Sequence, residues 1–353
     1  MTGTIDFFNV FLYTVCNIGT YLEYMKERKK RVLIRRARKQ IAMNTQTKIE
    51  FQILTPDFKE TYDRHLAQGQ RECERGCEFS FANVYLWGRQ RAALLHDHIV
   101  IFSQFNRRSV YPFPLGEGDK RAVIDAIIAD AQARGIPCRI TGLVGNEKQL
   151  LEDLYPGRFR FHCDRGAYDY VYDIHDLADL KGKKYHGKRN HCHRFLDAYP
   201  NYAVEPISGE NMPAVLRMVD RWFDERMAAD AEGDYHMERA ALTKALRDRE
   251  ALQMDGLALR HGEEVLAMTL GSRLSSDTFD VQFEKARADA EGAYPMINRE
   301  FARYLREKYP ELRFLNREED MGLEGLRRAK ESYQPHHMVE KCWACLLEDG
   351  YDY

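Results

Sequence analysis

The feature that most constrains the fold is a regular alternation of helix and strand patterns that begins at about residue 48. Asp119–Arg134 has the length and periodicity of a helix and stops at Gly135, and Ile136–Thr141 has the composition of a strand. The other predicted strands are Ile49–Leu54, Ser80–Trp87, Ala92–Ser103, Val265–Gly271, Thr278–Glu284 and Leu312–Leu315, and the other predicted helices are Asp57–Gln68, Glu210–Met227, Glu238–Asp248 and Pro295–Lys308. This alternation predicts an α/β (α+β) fold in which helices cover mixed central sheets.

The two halves of this pattern have the same order of elements: helices, a central antiparallel run, a helix and a strand. No repeat of the sequence itself accompanies that order. The duplication is therefore inferred from the pattern alone.

Charge is distributed unevenly along the chain. Residues 1–42 carry nine Lys/Arg and three acids, a balance of +6, so the rest of a 353-residue chain of net charge −2 carries −8. An acidic body can contact nucleic acid only through a local basic patch. Lys181–Arg194 is such a patch, with six Lys/Arg, three histidines and no acid. Two interpretations are open, a solvated connector helix and a surface that binds phosphates.

The N-terminal segment differs from the remainder. Phe7–Leu22 is an uncharged run of 16 residues, shorter than the roughly 20 that span a bilayer, and a Lys/Arg cluster follows it. A membrane anchor within residues 5–40, a surface-lying helical extension and a translation start at Met43 are the alternatives. Eight cysteines at irregular spacings, without a cleavable signal sequence, favour reduced thiols and a cytoplasmic location.

The densest group of candidate site residues lies in Asn316–Lys330. We expect a short helix that begins at Asp320. This aspartate is the N-cap of the helix, an active-site acid or both. Glycine inside a helix costs about 0.8–1.0 kcal/mol relative to alanine, so Gly322 and Gly325 point to a close approach of backbone or ligand.

A helical wheel places Lys330 on the apolar face of this helix and Arg327 at its edge. The residues predicted to share that face are Leu323, Leu326, Ala329 and Tyr333. A buried lysine needs a partner, so Lys330 is either paired with Glu318 or Glu319 or serves the site directly.

Several catalytic motifs are missing from the sequence. There is no Gly-x-Ser-x-Gly, no phosphate-binding loop ending in Gly-Lys-Ser/Thr, no His-Glu-x-x-His and no Gly-x-Gly-x-x-Gly. Cys342 and Cys345 form a Cys-x-x-Cys pair in Val339–Leu347, a predicted strand in which residues three apart face opposite sides. We interpret the pair as buried thiols and expect no metal site.

Three segments together resemble one known family. Asn316–Lys330 (NREEDMGLEGLRRAK), followed by a Tyr-x-Pro, closely resembles the signature of the phosphatidylglycerol lysyltransferase C-terminal domain family. Asp176–Phe195 and Phe79–Trp87 fit the same family, so the resemblance covers residues 48–347. Characterised members move an aminoacyl group from transfer RNA to a lipid hydroxyl. Their architecture is similar to that of the transferases that add amino acids to peptidoglycan precursors.

The resemblance implies two tandem domains of the Gcn5-related N-acyltransferase type, at residues 48–180 and 201–353. Residues 181–200 are then a basic connector and residues 1–47 an N-terminal extension. The characterised lipid enzymes carry a large multi-helix membrane domain, whereas this sequence has at most one marginal apolar segment. The loop Ala286–Tyr294 lacks the glycine-rich turn that holds the pyrophosphate of coenzyme A in acetyltransferases.

The resemblance also implies an acyl- or aminoacyltransferase with aminoacyl-tRNA as donor, a lipid, peptide or small molecule as acceptor, and no cofactor. We expect Lys330 and Arg327 to stabilise the oxyanion or a tRNA phosphate, and Asp320 to deprotonate or orient the acceptor if burial raises its pKa. The residues expected to bind substrate are Asn316, Glu318, Gly322, Gly325, Tyr294, Tyr333 and, for the donor phosphates, Lys184, Lys188 and Arg189. The alternatives are an acyl-CoA-dependent N-acyltransferase and a non-catalytic protein that binds lipid or RNA.

Overall fold

The computed structural model describes residues 48–69, 74–105, 108–230, 233 and 235–347. The alternatives for residues 1–42 fall outside the described residues. Residues 48–49 and 128–136 belong to a small unit of their own, in which the Ile49 N–H donates to Asp130 Oδ1 at 2.8 Å. The rest of the described chain belongs to a second unit. No helix within the described part is long and apolar enough to cross a membrane.

The elements alternate along the chain as the sequence pattern predicts. The helices are α1 (Lys59–Gly69), α2 (Phe81–Leu86), α3 (Lys120–Arg134), α4 (Gly145–Leu154), α5 (Ile174–Asp179), α6 (His186–Ala198), α7 (Met212–Ala229), α8 (His236–Asp248), α9 (Ala293–Lys308) and α10 (Glu324–Glu331). The strands are β1 (Gln52–Ile53), β2 (Arg89–Leu95), β3 (His98–Phe105), β4 (Arg108–Pro112), β5 (Leu115–Gly116), β6 (Arg139–Leu143), β7 (Phe159–Cys163), β8 (Asp169–Asp173), β9 (Ala203–Pro206), β10 (Asp255–His261), β11 (Glu264–Arg273), β12 (Thr278–Ala286), β13 (Phe314–Asn316), β14 (His337–Val339) and β15 (Cys342–Leu346).

These strands form two mixed sheets, and the two sheets repeat one topology. The first has the order β1-β2-β3-β4-β6-β15-β7, with β5 beside β3, and the second the order β14-β8-β13-β12-β11-β10-β9. In each sheet an antiparallel run is followed by a helix and then by a strand parallel to the last of the run: β4 and β6 around α3, and β12 and β13 around α9. The expected duplication is therefore visible in the strand connections.

The strands of the two sheets do not divide at the expected boundary of residue 180. β8 comes from the first half of the chain but pairs with β13 and β14 in the second sheet. β15 comes from the end of the chain but lies between β6 and β7 in the first sheet. Each half therefore supplies one strand to the other sheet. Neither residues 48–180 nor residues 201–353 contain all the strands of one sheet.

The segment Ser80–Trp87, predicted as a strand, is the helix α2. The Ser80 side chain accepts a hydrogen bond from the Asn83 N–H at 3.2 Å and so caps the first turn. Aromatic and β-branched residues favour strands, but here Phe81 and Val84 are buried in helical geometry. The tertiary packing overrides the local preference.

The cysteines also differ from the expectation. Cys342 is bonded to Cys163 in a disulfide that joins β15 to β7, while Cys345 is buried and unbonded. The expectation that Cys342 and Cys345 are two buried thiols was wrong for Cys342, because the strand that carries it crosses into the first sheet. Among the described residues, Cys77, Cys138 and Cys192 also form no disulfide, and all three are buried.

Candidate active site

The two central strands of the second sheet separate after a short parallel pairing, and this opening positions the site. β12 and β13 pair only from Thr278–Asp280 to Phe314–Asn316. On the other side of β12, two of its residues lie opposite the single residue Gly271 of β11. This arrangement is a β-bulge. A Cβ at Gly271 would lie 2.3 Å from the Asp280 carbonyl oxygen, so the bulge requires glycine there.

The bulge changes the face of the sheet that the following side chains reach. Asp280 Oδ2 accepts from Asn83 Nδ2 of α2 at 3.0 Å, and Gln282 Nε2 donates to the hydroxyl that caps α2 at 3.1 Å. Glu284, two residues further, instead accepts from Asn298 of α9 at 3.3 Å. Polar side chains of one strand therefore line both faces of the sheet beside the opening.

On the α2 side five carboxylates gather around the opening. This acidic cluster consists of Glu78, Asp169, Asp280, Glu318 and Glu319. Asn83 Nδ2 joins two of its members, Asp280 at 3.0 Å and Glu318 at 2.9 Å. Asn316 Nδ2 donates to Asp169 at 2.9 Å, and Asn316 Oδ1 accepts from the Glu318 N–H at 2.8 Å. The predicted residues Asn316 and Glu318 therefore lie in one hydrogen-bonded network.

Burial and mutual repulsion decide which of these acids hold protons. Burial, followed by the charge of Glu319, raises the pKa of Glu318 to about 8. Burial, followed by the charges of Glu318 and Asp169, raises the pKa of Asp280 well above its ordinary value. The oxygens Asp280 Oδ1, Asn83 Oδ1 and Gln282 Oε1 are buried and have no hydrogen-bond partner among the described residues. The site therefore offers acceptors to a ligand that carries N–H or O–H donors.

Lys341 provides the positive charge at the centre of the acidic cluster. Its Nζ lies 2.6 Å from Asp169 Oδ1, 2.9 Å from Glu78 Oε2 and 3.6 Å from Cys77 Sγ. Burial alone lowers the pKa of Lys341, but Asp169 and the other acids outweigh it and raise the pKa well above its ordinary value. Cys77, Asp169 and Glu319 are residues of the kinds that can bind a metal ion, and their ligand atoms lie within 4.8 Å of one another. The Lys341 ammonium binds one of them, Asp169, directly.

Asp320 is an ionised structural residue, unlike the base that we expected. Its carboxylate accepts from Arg327 Nε and the Tyr170 hydroxyl, both at 2.7 Å, and from the Gly322 N–H at 2.8 Å. The hydrogen bond from Arg327 outweighs burial and lowers the pKa of Asp320 far below its ordinary value. Asp320 is also not the N-cap, because α10 begins at Glu324 and Leu323 precedes it.

Lys330 is buried, as predicted, but its partners are backbone carbonyls and not the paired carboxylates. Nζ donates to the oxygens of Arg317 at 2.5 Å, Glu318 at 3.0 Å and Glu319 at 2.6 Å. An ammonium has three donors, so these bonds leave none for an oxyanion. Lys330 instead holds the loop after β13, in which Glu318 has a left-handed φ of 58°.

The glycines of this segment have different environments. Gly322 has a φ of +74°, and its N–H lies 2.8 Å from where a Cβ of Gly166 would be, so two backbones approach closely there. Gly325 has open space around it. The predicted apolar face is wrong at Leu323, which is 55% exposed, and at the exposed Ala329, because the helix starts four residues later than expected.

Cationic and aromatic groups occupy the α9 side of the opening. Arg317 Nη2 donates to Glu284 at 2.9 Å, and the guanidinium lies 4.8 Å from the centre of the Tyr333 ring. Lys188 Nζ lies 3.7 Å from the same ring. Burial, followed by the charge of Arg317, lowers the pKa of Lys188 to about 8. Arg317 Nη1 is buried and has no hydrogen-bond partner among the described residues.

The remaining residues expected to bind substrate have local partners. Lys184 Nζ donates a hydrogen bond to Asp176 at 2.8 Å. Arg189 Nη1 donates to the Leu180 and Gly182 carbonyls at 2.5 and 2.7 Å. Tyr294 is 40% exposed, and its hydroxyl accepts from Trp222 Nε1 at 3.2 Å. Of the basic connector, Lys188 is therefore the predicted phosphate-binding residue that the structure brings to Arg317 and Tyr333.

Residues 70–345 match the model of the phosphatidylglycerol lysyltransferase C-terminal family. This chain belongs to that family. The described part of this lysyltransferase-family chain has the α+β fold of tandem Gcn5-related N-acyltransferase-like proteins, with two mixed sheets.

Solved structures agree with the lysyltransferase-family fold. A conserved protein of unknown function from Bacteroides thetaiotaomicron has 36% identity and a TM-score of 0.79, over 85% of this chain and 100% of that one. L-PGS from Bacillus licheniformis has 17% identity and a TM-score of 0.56, over 81% and 91%. FemX has 10% identity and a TM-score of 0.56, over 85% and 98%. No curated protein matches the sequence. Family and fold are consistent with a transferase of the aminoacyltransferase type.

Several site residues of this lysyltransferase-family chain were missed from the sequence. Asp280 lies in a predicted central strand whose alternate residues are polar, and that unusual pattern was an available signal. Arg317 lies inside the recognised motif but was not singled out. Asp169 and Lys341 carry no local signal, since the exchange of strands between the sheets brings them together.

Proposed function

We propose that this chain is an aminoacyltransferase that moves an aminoacyl group from an aminoacyl-tRNA to a hydroxyl or amine on a lipid headgroup, peptide or small molecule. The observation that carries the proposal is the opening between β12 and β13, where the consecutive residues Arg317 and Glu318 belong to opposite charge environments. An aminoacyl-tRNA has matching chemistry, because its amino acid carries an ammonium group and its nucleotide end carries phosphates.

In the proposed reaction Glu318 is the general base. The acceptor oxygen or nitrogen bonds to the ester carbonyl carbon while its proton moves to the Glu318 carboxylate. The bond from that carbon to the ribose oxygen then breaks, and the proton passes to the ribose oxygen. A pKa of about 8 suits this exchange, since the carboxylate is basic enough to take a proton and acidic enough to return it.

The other groups of the opening bind and stabilise. The buried oxygens of Asn83 and Gln282 accept from the ammonium of the aminoacyl group. Arg317 Nη1, which has no hydrogen-bond partner among the described residues, donates to the developing oxyanion. Lys188 contributes positive charge for the terminal phosphate of the tRNA. The ester is already activated, so the proposed reaction requires no cofactor.

The packing of α9 disfavours the acyl-CoA alternative. Coenzyme A pyrophosphates bind at a helix N-terminus through exposed backbone N–H groups. Here the backbone of α6 lies close to that end of α9, since a Cβ at Gly292 would lie 2.2 Å from the His191 carbonyl oxygen. A carbonyl oxygen at this position repels a pyrophosphate.

The test is transfer of label from an aminoacyl-tRNA pool. The purified full chain is mixed with radiolabelled aminoacyl-tRNA and with lipid and soluble cell extracts, and label is followed into organic and aqueous products. We expect transfer by the wild type, and the labelled fraction identifies the acceptor class. The matched variants are Arg317→Met in the opening and Arg328→Met, whose side chain is 73% exposed on α10.

Transfer that is lost with Arg317→Met and retained with Arg328→Met supports the proposal. An absence of transfer, with unchanged deacylation of the tRNA and with binding of coenzyme A, would overturn it in favour of the acyl-CoA reaction. Binding of tRNA or lipid without any product would overturn it in favour of a non-catalytic protein.

A further inference from the structure

The disulfide between β7 and β15 lies where a small thiol can reach it. Cys163 is exposed and Cys342 is partly exposed. Lys148 Nζ lies 4.0 Å from Cys163 Sγ, and a nearby ammonium favours the thiolate form of a cysteine. Exposed disulfides are reduced more readily than buried ones. The position of this bond therefore suits exchange with a thiol.

The same bond fixes the segment that carries Lys341. β14 ends at Val339 in the second sheet and β15 begins at Cys342 in the first, so Glu340 and Lys341 alone connect the two strands. The pairing of β14 with β8 holds one end of this connection, and the disulfide holds the other. The Lys341 ammonium is thereby kept against Asp169 and Glu78.

We propose that the Cys163–Cys342 disulfide is a redox control site, which a thiol reductant opens to loosen Lys341 from the acidic cluster. A thiolate attacks Cys342 Sγ, the Cys163–Cys342 bond breaks, and Cys163 leaves as a thiolate beside Lys148 and then takes up a proton. A second thiol attacks the mixed disulfide, which releases the oxidised reductant and leaves Cys342 as a thiol. The protein disulfide gains two electrons, and the two reductant thiols lose them.

The consequence for the acids follows from their packing. With Lys341 displaced, Asp169 retains the Cys77 N–H at 2.7 Å and Asn316 Nδ2 at 2.9 Å but loses its counter-charge. A buried carboxylate without a counter-charge takes up a proton or draws in water. Either change weakens the hydrogen bond from Asn316 to Asp169, and Asn316 is the residue that accepts from the Glu318 N–H. Glu318 is then held less firmly, so the reduced protein is the less active form. This last step rests on the proposed function.

The Cys77 thiol reports on the position of Lys341 independently of activity. Cys77 is 4% exposed and lies against the Lys341 ammonium, whereas Cys192 is 1% exposed within a hydrophobic cluster and serves as the internal reference. The full chain is compared with its disulfide intact and after treatment with dithiothreitol, and also as Cys163→Ser/Cys342→Ser. Iodoacetamide labelling of each cysteine is timed by peptide mass spectrometry.

We expect Cys77 to be labelled about tenfold faster once the disulfide is open, with Cys192 changed by less than about twofold. Equal labelling of Cys77 in both states overturns the proposal. So does a parallel increase at Cys192, because that indicates general loosening, and so does the absence of a Cys163–Cys342 peptide under non-reducing conditions.

Transfer assays then test the link to activity. Reduction is expected to lower the transfer rate by about tenfold, and reoxidation is expected to restore it. An unchanged rate with faster Cys77 labelling overturns the control of activity. If neither state transfers any label, the proposed function fails, while the labelling of Cys77 still decides whether the disulfide controls Lys341.

Discussion

The two copies of the fold differ most where their parallel strands meet. In the first copy β4 pairs with β6 through Tyr111–Ile140, and both side chains are fully buried. In the second copy β12 pairs with β13 through Asp280–Asn316, which are equally buried but polar. A buried polar atom without a partner costs free energy, as does Asp280 Oδ1, which has none among the described residues, so a chain retains such an atom where it binds something else.

The comparison assigns different tasks to the two copies. The first copy stabilises the fold at this position and supplies Cys77, Glu78 and Asn83 to the edge of the site. The second copy supplies the residues of the opening itself. One topology therefore serves as a support in one copy and as a site in the other, and the difference lies in the side chains at the parallel pair.

The strongest test of this division is Glu318→Gln. Removal of a general base costs about 10²–10⁴-fold in rate, so we expect transfer to fall by about a thousandfold while the fold is retained. Steady-state transfer and circular dichroism measure the two effects. The matched control is Glu324→Gln, an 81% exposed acid of the same segment, which should leave transfer unchanged.

The pH profile of the wild type belongs to the same test. Glu318 acts as a base only when it is ionised, so the transfer rate should rise with pH and level off above about 8. Stability should change in the opposite direction. Because the pKa of Glu318 is raised on folding, its contribution is complete below its unfolded pKa and is lost as pH rises through about 8. A flat rate profile would remove Glu318 as the base.

A comparable change of a buried acid in the first copy is Glu147→Gln. Glu147 is 5% exposed and pairs with the buried Arg75 at 2.5 Å. Breaking a buried pair from one side costs about 3–5 kcal/mol, so we expect the free energy of unfolding to fall by about 3 kcal/mol while kcat changes by less than about twofold. Urea unfolding and transfer kinetics measure both. A large loss of kcat would contradict the supporting role of the first copy.

A third variant concerns the donor side of the opening. Lys188→Met removes one cation that faces Tyr333, and one phosphate contact contributes about 1 unit to the salt dependence of binding. We expect tRNA to bind about tenfold more weakly, with a shallower salt slope. Lys184→Met, at a lysine already paired with Asp176, is the control and should bind tRNA normally. Equal losses in both variants would indicate a diffuse basic surface.

Sequence patterns predicted the periodic elements and the recognised motif but not the charge network. The helices α3 and α9 and the strands β11 and β12 have strong periodicity, and they lie where expected. Asn316 and Glu318 belong to a local motif, so the sequence alone can point to both residues. Asp169 and Lys341 lie 172 residues apart and meet only through the strand exchange, which no local pattern encodes.

The roles within the motif were hard to predict for a related reason. Asp320 and Lys330 are the residue types that catalysis needs, and residue type alone does not distinguish a reacting group from one that holds the loop. The distinction depends on whether the polar atoms are already occupied. Asp320 is occupied by Arg327 and Tyr170, and Lys330 by three carbonyls, while Arg317 keeps a free nitrogen among the described residues.

The smallest expected effects separate shape from chemistry within the second copy. Gly322→Ala places a side chain at a φ of +74°, so it should destabilise the fold by about 1 kcal/mol. Gly325→Ala meets open space in the first turn of α10 and should stabilise it by about 0.5 kcal/mol. Thermal unfolding measures both, and transfer kinetics show whether either residue matters to the reaction. A loss of transfer in the stable Gly325→Ala would mean that a substrate approaches this turn, and the site would then extend from the opening to the start of α10.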